Sequence, residues 1–313
     1  MNVADLPMAV FTVLAQMSVG AFLVLGVVQV LARTVGGRSA EQVDRLTDPI
    51  LYAVGASLVL GFAASALHLG NPINALNILR NLGSSWLSAE IALGIAFGAL
   101  GLLFTLLQHF KRGSLALRQA LAAVTAVVGL SLVAAMSMIY YSVDIAPAWS
   151  TWATPVQFLT TTVLLGALAV GTALMATILV RRRADAAQAA GSEEQAEDLA
   201  LITTTLKGVA AVSVTMLGVI FLVTPLQLNL LSQGGPAAVE SAEVLSGAWF
   251  VTRLVLVFLG AGLMGLFIYR FATVTREDPR PLATVVSVAF GLVLVGELIG
   301  RTLFYESMTR IGM

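Results

Sequence analysis

Eight stretches of apolar residues dominate this chain, at roughly 8–32, 49–69, 88–109, 116–141, 155–180, 200–223, 247–271 and 282–305, each near the ~20 residues a helix needs to cross a bilayer. Hydrocarbon offers backbone amides no water, so only helices and closed barrels can span it, and runs of this length select helices. Composition agrees: 58% of the 313 residues are hydrophobic and 11% are charged, against about a quarter charged in soluble domains. The expected fold is therefore all-α, a polytopic membrane protein built as a single bundle of eight transmembrane helices over residues 1–313. No Lys or Arg precedes the first run and Asp5 does, so that run is expected to stay as a span rather than be removed as a signal.

Local signals mark several ends. Asp5-Leu6-Pro7, Asp48-Pro49, Thr154-Pro155 and Asp278-Pro279 each set a capping oxygen near a proline tolerated in a first turn. Gly70 followed by Asn71-Pro72 reads as a stop for the second span. Residues 181–199 read as a solvated connection, and the segment at about 225–246 reads as a longer loop containing Gly234-Gly235-Pro236. The spacings Gly94/Gly98 and Gly296/Gly300 would let the third and eighth spans approach neighbours closely.

Orientation follows from the basic residues. If the loops after spans 1, 3, 5 and 7 share one side, that side collects most of the 17 Lys and Arg, leaving only Arg80, Arg253, Arg301 and Arg310 for the other. The positive-inside rule then puts both termini outside the cytoplasm. Trp86, Trp149, Trp152 and Trp249 all fall at the outer span ends, as expected of a headgroup-level belt. On this topology Glu297 lies roughly 24 Å along the eighth span from Pro281, at about 1.5 Å per residue. Arg253 lies roughly 10 Å below the outer surface by the same rise, and Arg301, Glu90 and His68 lie nearer to it. The ionisable groups of the spans are thus expected in the outer leaflet, with the inner half dry and apolar.

Each of these residues has a plain structural reading. Glu90 suits a helix N-terminus, His68 a satisfied helix end, and Glu297 and Arg301 an i, i+4 salt bridge with Arg253 as its neighbour. Their convergence at one depth favours a site, because charge in hydrocarbon costs a few kcal/mol on even lenient scales and usually marks function. The chemistry open to it is narrow. No cysteine is present, which excludes iron-sulfur clusters and thiolate zinc held by this chain. On this topology His68 and His109 fall at opposite membrane faces, which excludes bis-histidine haem and leaves a His/Met haem, with ten methionines in the chain, formally open. No cluster of metal ligands or hydrolase triad is present, and nothing suggests nucleic acid. A histidine and a half-buried carboxylate suit proton handling beside an apolar pocket, and a quinol is the substrate that fits.

The string Leu67-His68-Leu69-Gly70-Asn71-Pro72, with Ala75, Leu79, Ser88, Glu90-Ile91 and Gly94, resembles the signature of DmsC-type membrane anchor subunits of dimethyl sulfoxide reductase. The likeness runs through Leu6-Pro7, Phe11-Thr12, Gly20, Tyr140, Asp144, Pro147, Trp149, Thr154-Pro155, Phe158 and Arg253 to Gly296-Glu297-Leu298-Ile299-Gly300-Arg301 and Phe304-Tyr305. This resemblance implies a haem-free, metal-free anchor in the cytoplasmic (inner) membrane. Such an anchor oxidises menaquinol and passes electrons to an iron-sulfur subunit, which feeds a molybdenum bis-pterin catalytic subunit on the extracytoplasmic face. It further implies that His68 and Glu90 act on the quinol, with Arg253, Glu297, Arg301, Tyr140 and Tyr305 supporting the pocket. Loop 181–199 is longer and more charged than the family pattern. A purely structural anchor, an ion-coupled secondary transporter and a proton-translocating NrfD-type anchor remain open alternatives. The last two would place ionisable groups near the midplane or through the inner leaflet.

Overall fold

The computed structural model describes residues 6–34, 39–68, 81–186, 192–271 and 279–311, with the side chains of 34, 40–42, 67, 68, 182–186, 192–199 and 271 outside that description. Its elements are α1 (Leu6–Thr34), α2 (Ala40–His68), α3 (Trp86–His109), α4 (Leu115–Tyr141), α5 (Ala153–Ala186), α6 (Ser192–Ser232), a short α7 (Pro236–Val244), α8 (Ala248–Val257), a π-helical turn (Phe258–Leu263), α9 (Met264–Phe271) and α10 (Arg280–Glu306). Eight helices are long and apolar enough to cross a membrane, α8, the π turn and α9 together making the seventh. The beginning of α1 and the end of α10 therefore share one face, here termed the terminal face.

α1 and α5 form the centre, each packed on most of the other spans. They cross at Gly20 and Gly166, where a Cβ on either would overlap the other helix's backbone, at Thr162 from one side and at Gly20 and Ala21 from the other. Lipid tails are as apolar as leucine, so association rests on such close packing rather than on expulsion of water. The spacings noted in the third and eighth spans behave alike: Gly94 and Gly98 receive the Phe62 ring of α2, and Gly296 lies against Val257 and the Arg253 carbonyl. In the π turn, Gly260 sits against Ala289 and Val293 of α10, and Gly262 against Leu217 of α6.

Several expected boundaries shift. α2 starts at Ala40, before Asp48-Pro49, and Pro49 lies inside it. An interior proline cannot donate to the carbonyl four residues back, and here the Arg45 carbonyl receives the Arg181 guanidinium from α5 instead. The segment 225–246 is not a loop: α6 continues past Pro225 to Ser232, and α7 follows. The extension is held by buried Gln227, which accepts from Gln157 Nε2 at 2.7 Å and donates to the Ala148 carbonyl at 3.3 Å. α7 is pinned to the end of α10 by Ser241 Oγ donating to the Ser307 carbonyl at 2.9 Å. Thr154 does not cap, since its hydroxyl donates to the Trp149 carbonyl at 2.7 Å. The connection 181–199 also shortens, with α5 reaching Ala186 and α6 beginning at Ser192. The caps expected at Asp5 and Asp278, and the stop at Gly70 to Pro72, lie outside the described residues.

The half opposite the terminal face is not free of buried charge, contrary to the reading of the spans alone. Asp44, 3% exposed, accepts from Arg33 at 2.5 Å and Lys111 at 3.1 Å and lies 3.6 Å from Arg118. Asp48 accepts from Lys111 at 2.9 Å and from Gln108 Nε2 at 2.9 Å. Because α2 starts early, its two acids enter the bundle, while the cations come from the ends of α1 and α4 and the α3–α4 turn. Partial burial opposes the charge on Lys111, but hydrogen bonds and attraction from Asp48 and Asp44 outweigh it, holding its pKa above the usual 10.5.

Two outcomes test this packing. Gly166→Ala should cost about 1–3 kcal/mol or more by overpacking and lower the melting temperature in detergent, whereas Gly26→Ala, facing open space, should not. A lysine pKa raised on folding contributes stability that is complete below its unfolded value and is lost as pH rises through the folded one. Melting scans above about pH 10 should therefore show an alkaline loss in the wild type that Lys111→Met lacks.

Candidate functional site

Below the terminal face, α1 and α10 run antiparallel and match residue for residue. One stripe of α10 carries Glu297, Arg301 and Tyr305, four apart, and one stripe of α1 carries Met8, Thr12 and Gln16, so each set shares a helix face. Arg301 donates to Gln16 Oε1 at 3.1 Å. One turn further out, the Tyr305 hydroxyl lies 2.7 Å from Thr12 Oγ1, which donates to the Met8 carbonyl at 2.8 Å. The Tyr140 hydroxyl of α4 donates to Tyr305 at 3.2 Å. In the proton order Tyr140 to Tyr305 to Thr12 to Met8 O, Tyr305 and Thr12 each accept once and donate once, and Tyr140 donates.

One turn deeper, Glu297, 3% exposed, accepts from Thr161 Oγ1 of α5 at 2.6 Å and faces Arg253 of α8 at 3.5 Å. Arg253 lies across Gly300, where any Cβ would overlap its guanidinium. The Arg301 guanidinium stacks 3.8 Å above the Phe158 ring and 5.4 Å from that of Phe304, so an aromatic face and an amide replace water around a fully buried cation. Tyr140 sits at the centre of an aromatic shell of Trp149, Phe158, Phe304 and Tyr305, with centroids 5.1–5.8 Å away. Trp149 is buried, stacked on Phe304, and donates Nε1–H to the Phe304 carbonyl at 2.7 Å. It is therefore not part of a headgroup belt, unlike Trp86, Trp152 and Trp249, which are exposed.

Glu90 stands in the second turn of α3, because Ser85 is the N-cap and no acid occupies the first turn. Capping does not explain it. It is half-buried. Phe62 lies against Gly94 and Gly98. From that contact α2 runs forward to His68 and α3 runs back to Glu90, both toward the terminal face, by roughly 9 and 6 Å at about 1.5 Å per residue, so both backbones reach similar depth. The His68 side chain lies outside the described residues.

Among the described residues two buried donors of this region have no partner, Gln16 Nε2 and Arg253 Nε. The cavity beside Arg253, Thr161 and Thr224 measures about 10 Å³, room for one water at most. Among the described residues no three His, Asp or Glu gather as a metal site.

The sequence matches the family model of the DMSO reductase anchor subunit (DmsC) over residues 1–306. It belongs to the DmsC family. It is 31% identical to the C subunit of anaerobic dimethyl sulfoxide reductase from Escherichia coli K12 over 310 residues, 98% of this protein and 96% of that one. It is 30% identical to the anaerobic dimethyl sulfoxide reductase subunit YnfH of the same organism over 311 residues, covering 98% and 96%. The C subunit from Haemophilus influenzae is 34% identical over 171 residues, 55% of this protein and 58% of that one.

In this DmsC-family anchor, five of the residues singled out from sequence meet in one network: Arg253, Glu297, Arg301, Tyr140 and Tyr305. The i, i+4 pairing does not form as a hydrogen-bonded salt bridge; Glu297 pairs with Arg253, and Arg301 turns to Gln16. Thr12, Gln16 and Thr161 join them without having been expected from sequence. A glutamine inside an apolar span is a visible signal, but threonines usually bond their own helix, as Thr160 and Thr162 do here.

Glu297→Ala should strip Arg253 of its counter-charge and cost about 3–5 kcal/mol. The double variant Arg253→Met/Glu297→Leu should melt above the single one, and equal melting temperatures would deny the coupling.

Proposed function

We propose that the protein is the menaquinol-oxidising membrane anchor of a dimethyl sulfoxide reductase-type complex in the cytoplasmic membrane. The observation that carries this reading is a buried run of hydroxyls, Tyr140 to Tyr305 to Thr12, near the terminal face, with half-buried Glu90 in the outer turns of α3. Family membership supports the anchoring role, and the names of the two E. coli relatives support dimethyl sulfoxide reductase as the kind of complex served.

In this reading menaquinol enters from the bilayer on the Glu90 side, its ring edge toward Tyr140. Glu90 accepts a hydroxyl proton as general base, directly or through His68. The Tyr140 hydroxyl, its proton committed to Tyr305, leaves its oxygen to accept from the quinol and so orients the ring, and the proton taken by Glu90 leaves to water at the terminal face. Arg301, held over Phe158, keeps the pocket wall fixed and positive, which favours quinol deprotonation by stabilising the anion that forms. Oxidation yields menaquinone, two electrons and two protons. The electrons pass to an iron-sulfur partner subunit and from it to a molybdenum bis-pterin catalytic subunit, both docked on the terminal face. That face is extracytoplasmic by the distribution of basic residues. Protons leave on the same side, so this subunit does not pump.

Glu90→Gln in the assembled complex should lower menaquinol-driven turnover by roughly a hundredfold or more, while turnover driven by a reduced dye acting directly on the partner subunits stays unchanged. Undiminished quinol-driven turnover would remove the acid from the mechanism. Loss of both activities would mark an assembly defect instead.

A further inference from the structure

The half of the bundle away from the quinol network carries a cavity of about 610 Å³ between α1, α3 and α4, in the range of small-molecule sites. Its walls are apolar, with Phe22, Leu25 and Phe104 on one side and Ala122 and Ala126 on the other. It is flanked by Val27, Leu31 and Leu115, all exposed. These face hydrocarbon, so the cavity is a lateral groove open to the bilayer.

Its polar end is cationic. Among the described residues, the only charged side chains lining it are Arg33 and Arg118, joined by Gln29, Gln108 and Gln119. Asp44 and Asp48 stand behind them and do not line it. Among the described residues of that ion cluster, Arg33, Arg118 and Lys111 face two carboxylates, one positive charge in excess. Among the described residues neither Arg33 Nε nor Arg118 Nε, both buried, has a hydrogen-bond partner, and a buried donor left unsatisfied is costly. The arginines sit at the last turn of α1 and the first of α4, at headgroup depth, with the apolar walls extending from them toward the bilayer centre.

We propose that this groove is a binding site for one acidic phospholipid, its phosphate held by Arg118 and Arg33 and one acyl tail lying along Phe22, Phe104 and Ala126. An apolar slot ended by arginines at the interface matches the division of a lipid into tail and anionic head, and Arg–phosphate pairs are strong and directional. A quinol fits less well. It is neutral, so it leaves the excess charge uncompensated, and both nearby carboxylates are committed to cations and lie outside the cavity, leaving no base.

The test uses the purified protein, delipidated in detergent and returned to nanodiscs of phosphatidylcholine alone or with phosphatidylglycerol. Native mass spectrometry should find one phosphatidylglycerol retained per wild-type molecule, with a higher melting temperature than in phosphatidylcholine. Arg118→Gln should weaken retention roughly tenfold. Gln119→Glu, an exposed position with no part in the ion cluster, should weaken it through repulsion while folding normally, which covers the case in which Arg118→Gln does not fold. Equal retention of both lipids, or undiminished retention of phosphatidylglycerol in the Gln119→Glu variant, overturns the proposal. So does displacement of the lipid by a soluble menaquinone analogue. Retention is read without turnover, so failure of the quinol mechanism at Glu90 leaves this result standing.

Discussion

The crossing of α1 and α5 at Gly20 and Gly166 is the contact on which the rest of the structure hangs. Inside a bilayer no hydrophobic force drives one apolar helix onto another, so backbone proximity and polar pairing decide who neighbours whom. With two side chains absent, α1 sinks onto α5, and this fixes the height of every residue on either helix. Gln16 and Thr12 lie one and two turns from Gly20 on α1, and Phe158 and Thr161 precede Gly166 on α5. Those four side chains are what α10 meets: an amide and a ring for Arg301, a hydroxyl each for Tyr305 and Glu297.

The two ends of the bundle solve the same electrostatic problem differently. At the opposite rim, cations and carboxylates are interleaved with glutamine, and one lysine stays half in water. Near the terminal face the partners are mostly neutral: a threonine, a glutamine, aromatic rings. Neutral partners leave charge less fully compensated than an ion pair does. This is a poor way to gain stability and a good way to keep groups responsive to a guest that changes its own charge. The unpaired donors of Gln16 and Arg253 fit that description.

Much of this is legible in the order of amino acids alone. Length and hydropathy select eight spans because hydrocarbon permits so few alternatives, and Arg253, Glu297 and Arg301 are found with polar or aromatic partners because lone charges there are expensive. What escapes is tertiary. The i, i+4 spacing of Glu297 and Arg301 suggests a local pair, yet Arg253 and Gln16, 44 and 285 positions away, take the hydrogen bonds. Pro49 and Pro225 look like helix ends because proline removes an amide, but buried Asp44 and Gln227 give their helices reasons to continue. Trp149 carries the composition of an interfacial belt, and only the Phe304 ring and carbonyl reveal it as core.

The bond from Arg181 to the Arg45 carbonyl has a consequence for how the protein is made. A ribosome delivers α2 well before α5, so the gap that Pro49 opens in the second helix is closed by a residue synthesised later. Until the fifth segment inserts, that carbonyl must stay near headgroup water. The two segments are therefore tied at this rim only after more than half of the protein has been synthesised, and polypeptides ending before Arg181 would lack that tie.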